Sequence, residues 1–313
     1  MCTTSTGTDT AKKPIFFLKG IKDMKFGTLY AYWAKNGEWG GDYKALCYKA
    51  KKAGLDVLEV GAGDLLTMSD AELAELRTTA KELGLEISAN LGPPRDKDVS
   101  SKDNSVRAAG VKFLCDIMDQ MVKLDCKILI GALYNCWPYD FVDLDKEGLW
   151  QRAVESMKKV GDYADKLGVK IALEILNRFE TCLLTDCEEG VKFVNEVGKK
   201  SVGLLLDTFH MNIEEDNLPD AFRRAGELLY HVHVGEGNRK LPGMGHLPWK
   251  EMGEALREIG FDGMVVMEPF MKMGGKVGSD IKVWRDLSNG ADEDKMDEMM
   301  AEAAAFLRKA FEG

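Results

Sequence analysis

The chain has 313 residues, 45% of them hydrophobic, and a formal net charge of -10. This size allows one large hydrophobic core, and α/β barrels often use such a length for a single domain. The acidic balance argues against a general binder of nucleic acid or of anionic membranes, because phosphate binding relies on a basic surface. A small polar metabolite is therefore the predicted partner.

The residues up to about 23 precede any regular pattern. Their apolar core, IFFL, is too short for a signal sequence or a membrane span. We expect residues 1–23 to be an extension that is flexible in part, followed by one domain over 24–313. The seven cysteines include no CxxC pair, and most lie in apolar runs. They predict reduced thiols in the cytoplasm and no cysteine zinc site.

From Met24 onward, short apolar runs rich in β-branched or aromatic residues alternate with longer segments of helical period. The predicted strands are 26–33, 56–61, 85–90, 126–131, 169–175, 202–207, 229–234 and 264–269. Amphipathic segments at 43–54, 69–84 and 149–168 each end on a glycine that suits a helix C-cap. Ser69 or Asp70 is the predicted N-cap of the second of these helices. A last helix over 292–313 would close the ring.

Eight strand and helix pairs predict a single (β/α)8 barrel. A doubly wound open sheet has the same local pattern, so periodicity alone does not distinguish it from a closed barrel. Functional side chains of such barrels gather at the carboxyl ends of the strands.

Four consecutive predicted strands, the fifth to the eighth, each place a metal-binding residue type at that end: Glu174, Asp207, His233 and Glu268. Each alone has an ordinary explanation as a helix cap or a solvated loop residue. Together at one barrel mouth they would repel one another unless a cation held them. Three oxygen donors and one nitrogen donor favour one Mn²⁺, Co²⁺ or Mg²⁺ ion per subunit.

The stretch HVHV places His231 and His233 on the same face of a strand, since side chains alternate. His233 is nearer the carboxyl end and is the predicted ligand. His231 lies one pleat deeper. It is predicted to be a buried core histidine with its hydrogen bonds satisfied.

Several longer segments resemble those of a known family. They are EILNRFE (174–180), LDTFHMNIEED (206–216), HVHVGEGNRKLPGMG (231–245), MEPF (267–270) and GSDIKVWRDL (278–287). From about Met24 to the C-terminus, the chain is similar to the ketose 3-epimerases, which include D-tagatose 3-epimerase and D-psicose (D-allulose) 3-epimerase. The NRFE and DTFHMNIEED elements most resemble the D-psicose branch.

This resemblance implies a barrel that forms a homodimer or homotetramer and binds one divalent ion, with the four strand-end residues as ligands. It implies that Glu180, His210 and Arg239 bind the O1 to O3 end of the sugar. Trp39 and Trp137 match the family's loop tryptophans and offer flat walls for the sugar's C–H faces. Leu29 departs from the family, which commonly has an aromatic residue there, and the first loop is one residue longer than expected. Both changes concern the far end of the substrate.

The implied reaction inverts C3 of a free ketohexose, converting D-fructose into D-psicose or D-tagatose into D-sorbose. It removes the C3 proton, forms an enediolate across C2 and C3, and returns a proton to the opposite face. Glu174 and Glu268 come from strands three apart around the ring, so they could flank a bound sugar. Each would be the base for one epimer and the acid for the other.

Three other functions remain open. An aldose–ketose isomerase on a similar barrel would use two metals and a lysine, whereas the sequence shows one ligand cluster without a lysine. A zinc nuclease would need more than the four histidines present and a basic surface. A sugar-binding protein could keep the pocket without turnover, although the two intact glutamates argue against it.

Overall fold

The computed structural model describes residues 23–312, in which eight parallel strands form a closed ring in sequence order. The strands are β1 (Lys25–Leu29), β2 (Val57–Gly61), β3 (Glu86–Asn90), β4 (Ile128–Gly131), β5 (Lys170–Ile175), β6 (Val202–Asp207), β7 (Leu229–Val234) and β8 (Met264–Met267). Because β1 pairs with both β2 and β8, the sheet has no free edge. The predicted barrel is confirmed and the open sheet is excluded. The predicted extension lies outside the described residues, apart from Asp23.

Helices surround the ring. They are α1 (Tyr43–Lys52), α2 (Asp70–Leu83), α3 (Asn104–Leu124), α4 (Lys146–Leu167), α5 (Cys187–Val197), α6 (Thr208–Glu214), α7 (Leu218–Ala225), α8 (Trp249–Glu258), α9 (Gly275–Asp280) and α10 (Glu293–Glu312). The last of these packs against α8 and β1, where the ring closes. No helix within residues 23–312 has the length and apolar character needed to cross a bilayer.

The strands are apolar along their length because both of their faces are covered. All six residues of β6, VGLLLD, are buried, as expected for a parallel sheet between helices and a filled barrel interior. At Gly27 of β1 the neighbouring strand comes so close that a Cβ would lie 2.6 Å from the Cβ of Val57. The six cysteines in the described part of the chain are free thiols.

The first strand is shorter than the predicted 26–33. It ends at Leu29, and a 3₁₀ helix over Tyr30–Trp33 follows. The apolar pattern continues because these residues pack against α10: the Tyr32 hydroxyl donates to the carbonyl of Met296 at 2.8 Å, and the Trp33 indole donates to Asp297 at 2.8 Å. The apolar run in the sequence therefore predicted a longer strand than the structure has.

Helix α2 begins with a capping box. Ser69 is the N-cap and accepts from the Glu72 amide, while the Glu72 carboxylate accepts from the Ser69 amide. Ser69→Ala should therefore lower the free energy of unfolding by about 1 kcal/mol, measured by urea denaturation. Thr78→Ala in the same helix removes a hydroxyl that only bonds back to Ala74, so it should change stability by less than about 0.5 kcal/mol. Equal losses in both variants would contradict the capping role.

Candidate active site

The barrel brings the four predicted metal-binding residues together at the carboxyl ends of β5 to β8. Glu174 is the penultimate residue of β5, Asp207 ends β6, His233 is the penultimate residue of β7, and Glu268 directly follows β8. One ligand atom from each lies within 4.8 Å of the others, and all four side chains are buried. The parallel register produces this, for example by aligning Asp207 with His233.

One nitrogen of His233 shows that this cluster suits a cation. His233 Nδ1 is fully buried and finds no hydrogen-bond partner among residues 23–312. It lies 3.6 Å from Glu174 Oε1 and 3.7 Å from Glu268 Oε1. A buried nitrogen without a partner is costly, and buried carboxylates side by side repel. A divalent ion among these donors would relieve both penalties, so the residues fit such an ion.

The electrostatics of the cluster point the same way. Burial raises the pKa of Glu174 and of Glu268 above the usual carboxyl range; the charge of Asp207 adds to the shift in both, and the charge of Glu174 adds to the shift in Glu268. Burial alone would lower the pKa of His233, but the carboxylates of Glu59 and Glu268 raise it well above its usual value. The cluster thus attracts positive charge, which a bound cation would supply in place of protons.

His210 faces the same cluster from the first turn of α6, directly after β6. Its Nδ1 accepts a hydrogen bond from the Asn177 amide at 3.1 Å. Its Nε2 lies 3.6 Å from Asp207 Oδ2 and 3.8 Å from Glu174 Oε1. Burial lowers the pKa of His210 to about 3. The imidazole is therefore neutral, with its hydrogen on Nε2, and can donate to an oxygen at the barrel mouth.

Arg239 lies in the loop after β7 and is buried. Its Nη1 donates to Glu268 Oε2 at 2.9 Å and to Asp207 Oδ2 at 3.2 Å. The guanidinium stacks on Phe209, with Cζ 3.6 Å from the ring centroid. Glu268, Asp207 and other carboxylates raise the pKa of Arg239 although burial opposes them, so it stays charged. A fixed cation of this kind can bind a negatively charged oxygen.

The other predicted substrate residues line the same cavity, which has a volume of about 310 Å³. Glu180 accepts from the Trp137 indole at 3.0 Å and from the side-chain amide of Asn177 at 3.2 Å. Trp137 packs edge to face on Trp39, with ring centroids 6.5 Å apart. Together they form an aromatic part of the wall of the cavity that Glu174 and Glu268 also line. A small-molecule pocket has this composition, apolar walls with few polar groups.

Leu29 also lines this cavity. The position at which the sequence departs from the family pattern is therefore in contact with the space a ligand would occupy. We expect its effect to fall on the choice among ligands, because the charged cluster is formed by other residues.

Three polar residues that contribute to the site were missing from the sequence prediction. Asn177 orients both His210 and Glu180, as described above. Glu236 is buried and accepts from the Gly243 amide and the Trp249 indole, both at 2.9 Å, which fixes the loop that carries Arg239. Glu59 lies beneath His233, within the otherwise apolar strand VLEVG. A glutamate inside a buried strand was the signal that could have identified it.

His231 is buried, as predicted, but the predicted hydrogen bonds of its ring are absent from the described part of the chain. Its Nε2 lies 3.2 Å from Glu59 Oε2, and neither ring nitrogen has a hydrogen bond of good geometry within the described chain. Burial lowers the pKa of His231, so the ring is neutral. The prediction was correct about the burial of His231 and wrong about its satisfied hydrogen bonds.

Comparison with known proteins places this geometry in context. Residues 47–309 match the xylose isomerase-like TIM barrel family. The chain is 49% identical over 286 residues to the D-psicose 3-epimerase of Agrobacterium fabrum, which covers 91% of this chain and 98% of that protein. It is 47% identical over 290 residues to the D-psicose 3-epimerase of Ruminiclostridium cellulolyticum, covering 92% and 98% of the two chains.

Solved structures show the same relationship in three dimensions. A crystal structure of a D-psicose 3-epimerase determined in the presence of D-fructose has a TM-score of 0.90 and 48% sequence identity to this chain. The match covers 93% of this chain and all of the other. An L-ribulose 3-epimerase structure gives a TM-score of 0.83 at 28% identity.

Proposed function

Because the chain belongs to the xylose isomerase-like TIM barrel family and, within it, to the D-psicose 3-epimerases and their relatives, we propose that it interconverts D-fructose and D-psicose. The prediction of an isomerase of the ketose 3-epimerase type is confirmed by these relatives. We propose D-tagatose and D-sorbose as a second substrate pair. One observation carries the proposal: two buried glutamates from strands three apart approach the same unpartnered nitrogen of His233.

Glu174, Asp207, His233 and Glu268 would hold one divalent cation, with Mn²⁺ or Co²⁺ suiting the mixed donor set best and Mg²⁺ an alternative. When bound, such a cation polarises a carbonyl and stabilises developing negative charge on oxygen by several kcal/mol. The proton transfers themselves fall to the side chains of the protein.

Glu174 and Glu268 are the proposed acid and base. One removes the C3 proton, the C–H electron pair forms the C2=C3 bond, and the carbonyl electrons move to O2. The other glutamate, protonated at the start, gives its proton to the opposite face of C3. The C2=C3 electron pair forms the new C–H bond and the electrons on O2 reform the carbonyl, which leaves C3 inverted. Positioned groups of this kind contribute about 10²- to 10⁴-fold in rate. Burial helps, since it raises the pKa of both carboxyl groups and makes the ionised forms stronger bases.

The neighbouring donors would bind and orient the sugar. His210 can donate from Nε2 and Arg239 from its guanidinium to the O1 to O3 oxygens, where charge develops. Glu180 is held by Trp137 and Asn177 and can accept from a sugar hydroxyl. Trp39 and Trp137 would cover the apolar face of the sugar and exclude water.

Solvent deuterium distinguishes this reaction from its rivals. The Mn²⁺-loaded protein, incubated with D-fructose in D₂O, should yield D-psicose carrying deuterium at C3, detected by NMR. An aldose product without solvent label would indicate an aldose–ketose isomerase instead. Tight ketose binding without turnover would indicate a binding protein. The lining of the cavity argues against the isomerase, because none of its described residues is a lysine.

A further inference from the structure

A polar layer lies beneath the four proposed metal-binding residues, inside the barrel. At its centre is Glu59 of β2, which has no solvent-exposed surface. Barrel interiors are normally filled by layers of branched apolar side chains. Burial of a carboxylate in such a layer costs free energy unless several donors surround it. The presence of Glu59 there therefore requires an explanation.

Both oxygens of Glu59 are engaged. Oε1 lies 2.9 Å from His233 Nε2 and accepts from the side-chain amide of Asn90 at 3.1 Å. Oε2 accepts from the Ser88 hydroxyl at 2.8 Å and lies 3.2 Å from His231 Nε2. Asn90 and Ser88 are on β3 and the histidines on β7, so Glu59 is held from two sides. Its carboxylate therefore cannot turn without losing several contacts.

The two nitrogens of His233 face different surroundings. Nε2 points at Glu59, whereas Nδ1 points at Glu174 and Glu268 and lacks a partner in the described structure. A carboxylate acceptor at Nε2 keeps the hydrogen of a neutral imidazole on that nitrogen. The lone pair then lies on Nδ1, where a cation would bind.

We propose that Glu59 is a positioning residue that fixes the tautomer and orientation of His233, so that Nδ1 is presented to the divalent cation. Ser88 and Asn90 in turn hold Glu59 through hydrogen bonds, and the His231 ring lies against it. This inference rests on the proposed function insofar as that function requires the cation.

An alternative use of these residues is a second metal site formed by Glu59, His231 and His233. The geometry favours positioning. Only three protein groups are available, one of them shared with the first cluster, and the Glu59 oxygens already accept from Ser88 and Asn90. Structural zinc sites closed to solvent almost always have four protein ligands.

The test measures metal binding rather than turnover. Metal-free wild type, Glu59→Gln and Asp98→Asn are titrated with Mn²⁺ by isothermal calorimetry. Glu59→Gln should bind Mn²⁺ about 10- to 100-fold more weakly, because outer partners of a metal-binding histidine typically contribute this much. Asp98→Asn is the matched control, since Asp98 is also a buried carboxylate, accepts from the amide and hydroxyl of Ser100, and does not line the cavity. It should bind Mn²⁺ as wild type does.

Each other outcome overturns the inference in a recognisable way. Equal affinity of wild type and Glu59→Gln removes the positioning role and leaves the proposed function standing. Two ions per wild-type subunit, with one lost in Glu59→Gln, would make Glu59 a ligand. No Mn²⁺ binding by wild type would remove the proposed metal site as well.

Two further measurements guard against a variant that fails to fold. In the Mg²⁺-saturated wild-type protein, ¹⁵N NMR of the imidazoles should show His233 protonated at Nε2 and unprotonated at Nδ1. The opposite tautomer would overturn the inference. Ser88→Ala removes one hydrogen bond to Glu59 without changing a buried charge. It should weaken Mn²⁺ binding several-fold, and unchanged affinity would contradict the proposed layer.

Discussion

Glu268→Gln and Glu174→Gln should each lower the turnover of D-fructose by about 10²- to 10⁴-fold, measured by NMR of the product. The amide keeps the size and one coordinating oxygen of the side chain but cannot take up a proton. Ketose binding, measured by calorimetry, should therefore change much less than turnover. Glu258→Gln, on the exposed surface of α8, is the control and should retain full activity.

The two variants should also differ from one another. If each glutamate serves one epimer, a variant retains the base for only one of them. One variant should exchange the C3 hydrogen of D-fructose with D₂O without forming D-psicose, and the other should do so only with D-psicose. Substantial interconversion by either variant would eliminate the acid and base role of the residue that was replaced.

Removal of divalent ions with a chelator should reduce turnover to background, and added Mn²⁺ or Co²⁺ should restore it. Without a cation, the buried carboxylates at the barrel mouth repel one another, and burial favours their protonated forms by raising the pKa of Glu174 and Glu268. The base is then lost together with the electrostatic stabilisation. Chelator already saturated with Mn²⁺ is the control and should leave activity unchanged.

Ion binding should also appear in the stability of the fold. At an ion concentration about 100 times the dissociation constant, the native state gains about 2.7 kcal/mol. The unfolding midpoint in urea should therefore rise on addition of Mn²⁺. Full turnover by protein in which elemental analysis finds no metal would refute the proposed cofactor.

Much of this molecule could be predicted from local sequence patterns. Short apolar runs rich in β-branched or aromatic residues located all eight strands, and the glycines that cap α2 and α4 were identified correctly, because strand burial and helix termination depend on neighbouring residues. The failure at Tyr30–Trp33 has the same origin. Those residues are buried by the distant helix α10, so an apolar run did not mean a strand.

For the candidate site, too, some features follow from the local sequence and others only from the tertiary structure. The sequence alone determined that Glu174, Asp207, His233 and Glu268 stand at strand ends, since position along a strand is a local property. Only the tertiary structure decided that the ring closes, that His233 turns Nδ1 toward the carboxylates, and that Glu59, 174 positions earlier in the chain, meets its Nε2. The physical reason is register. Which side chains share a layer inside a barrel depends on pairing around the whole ring, and no single strand carries that information.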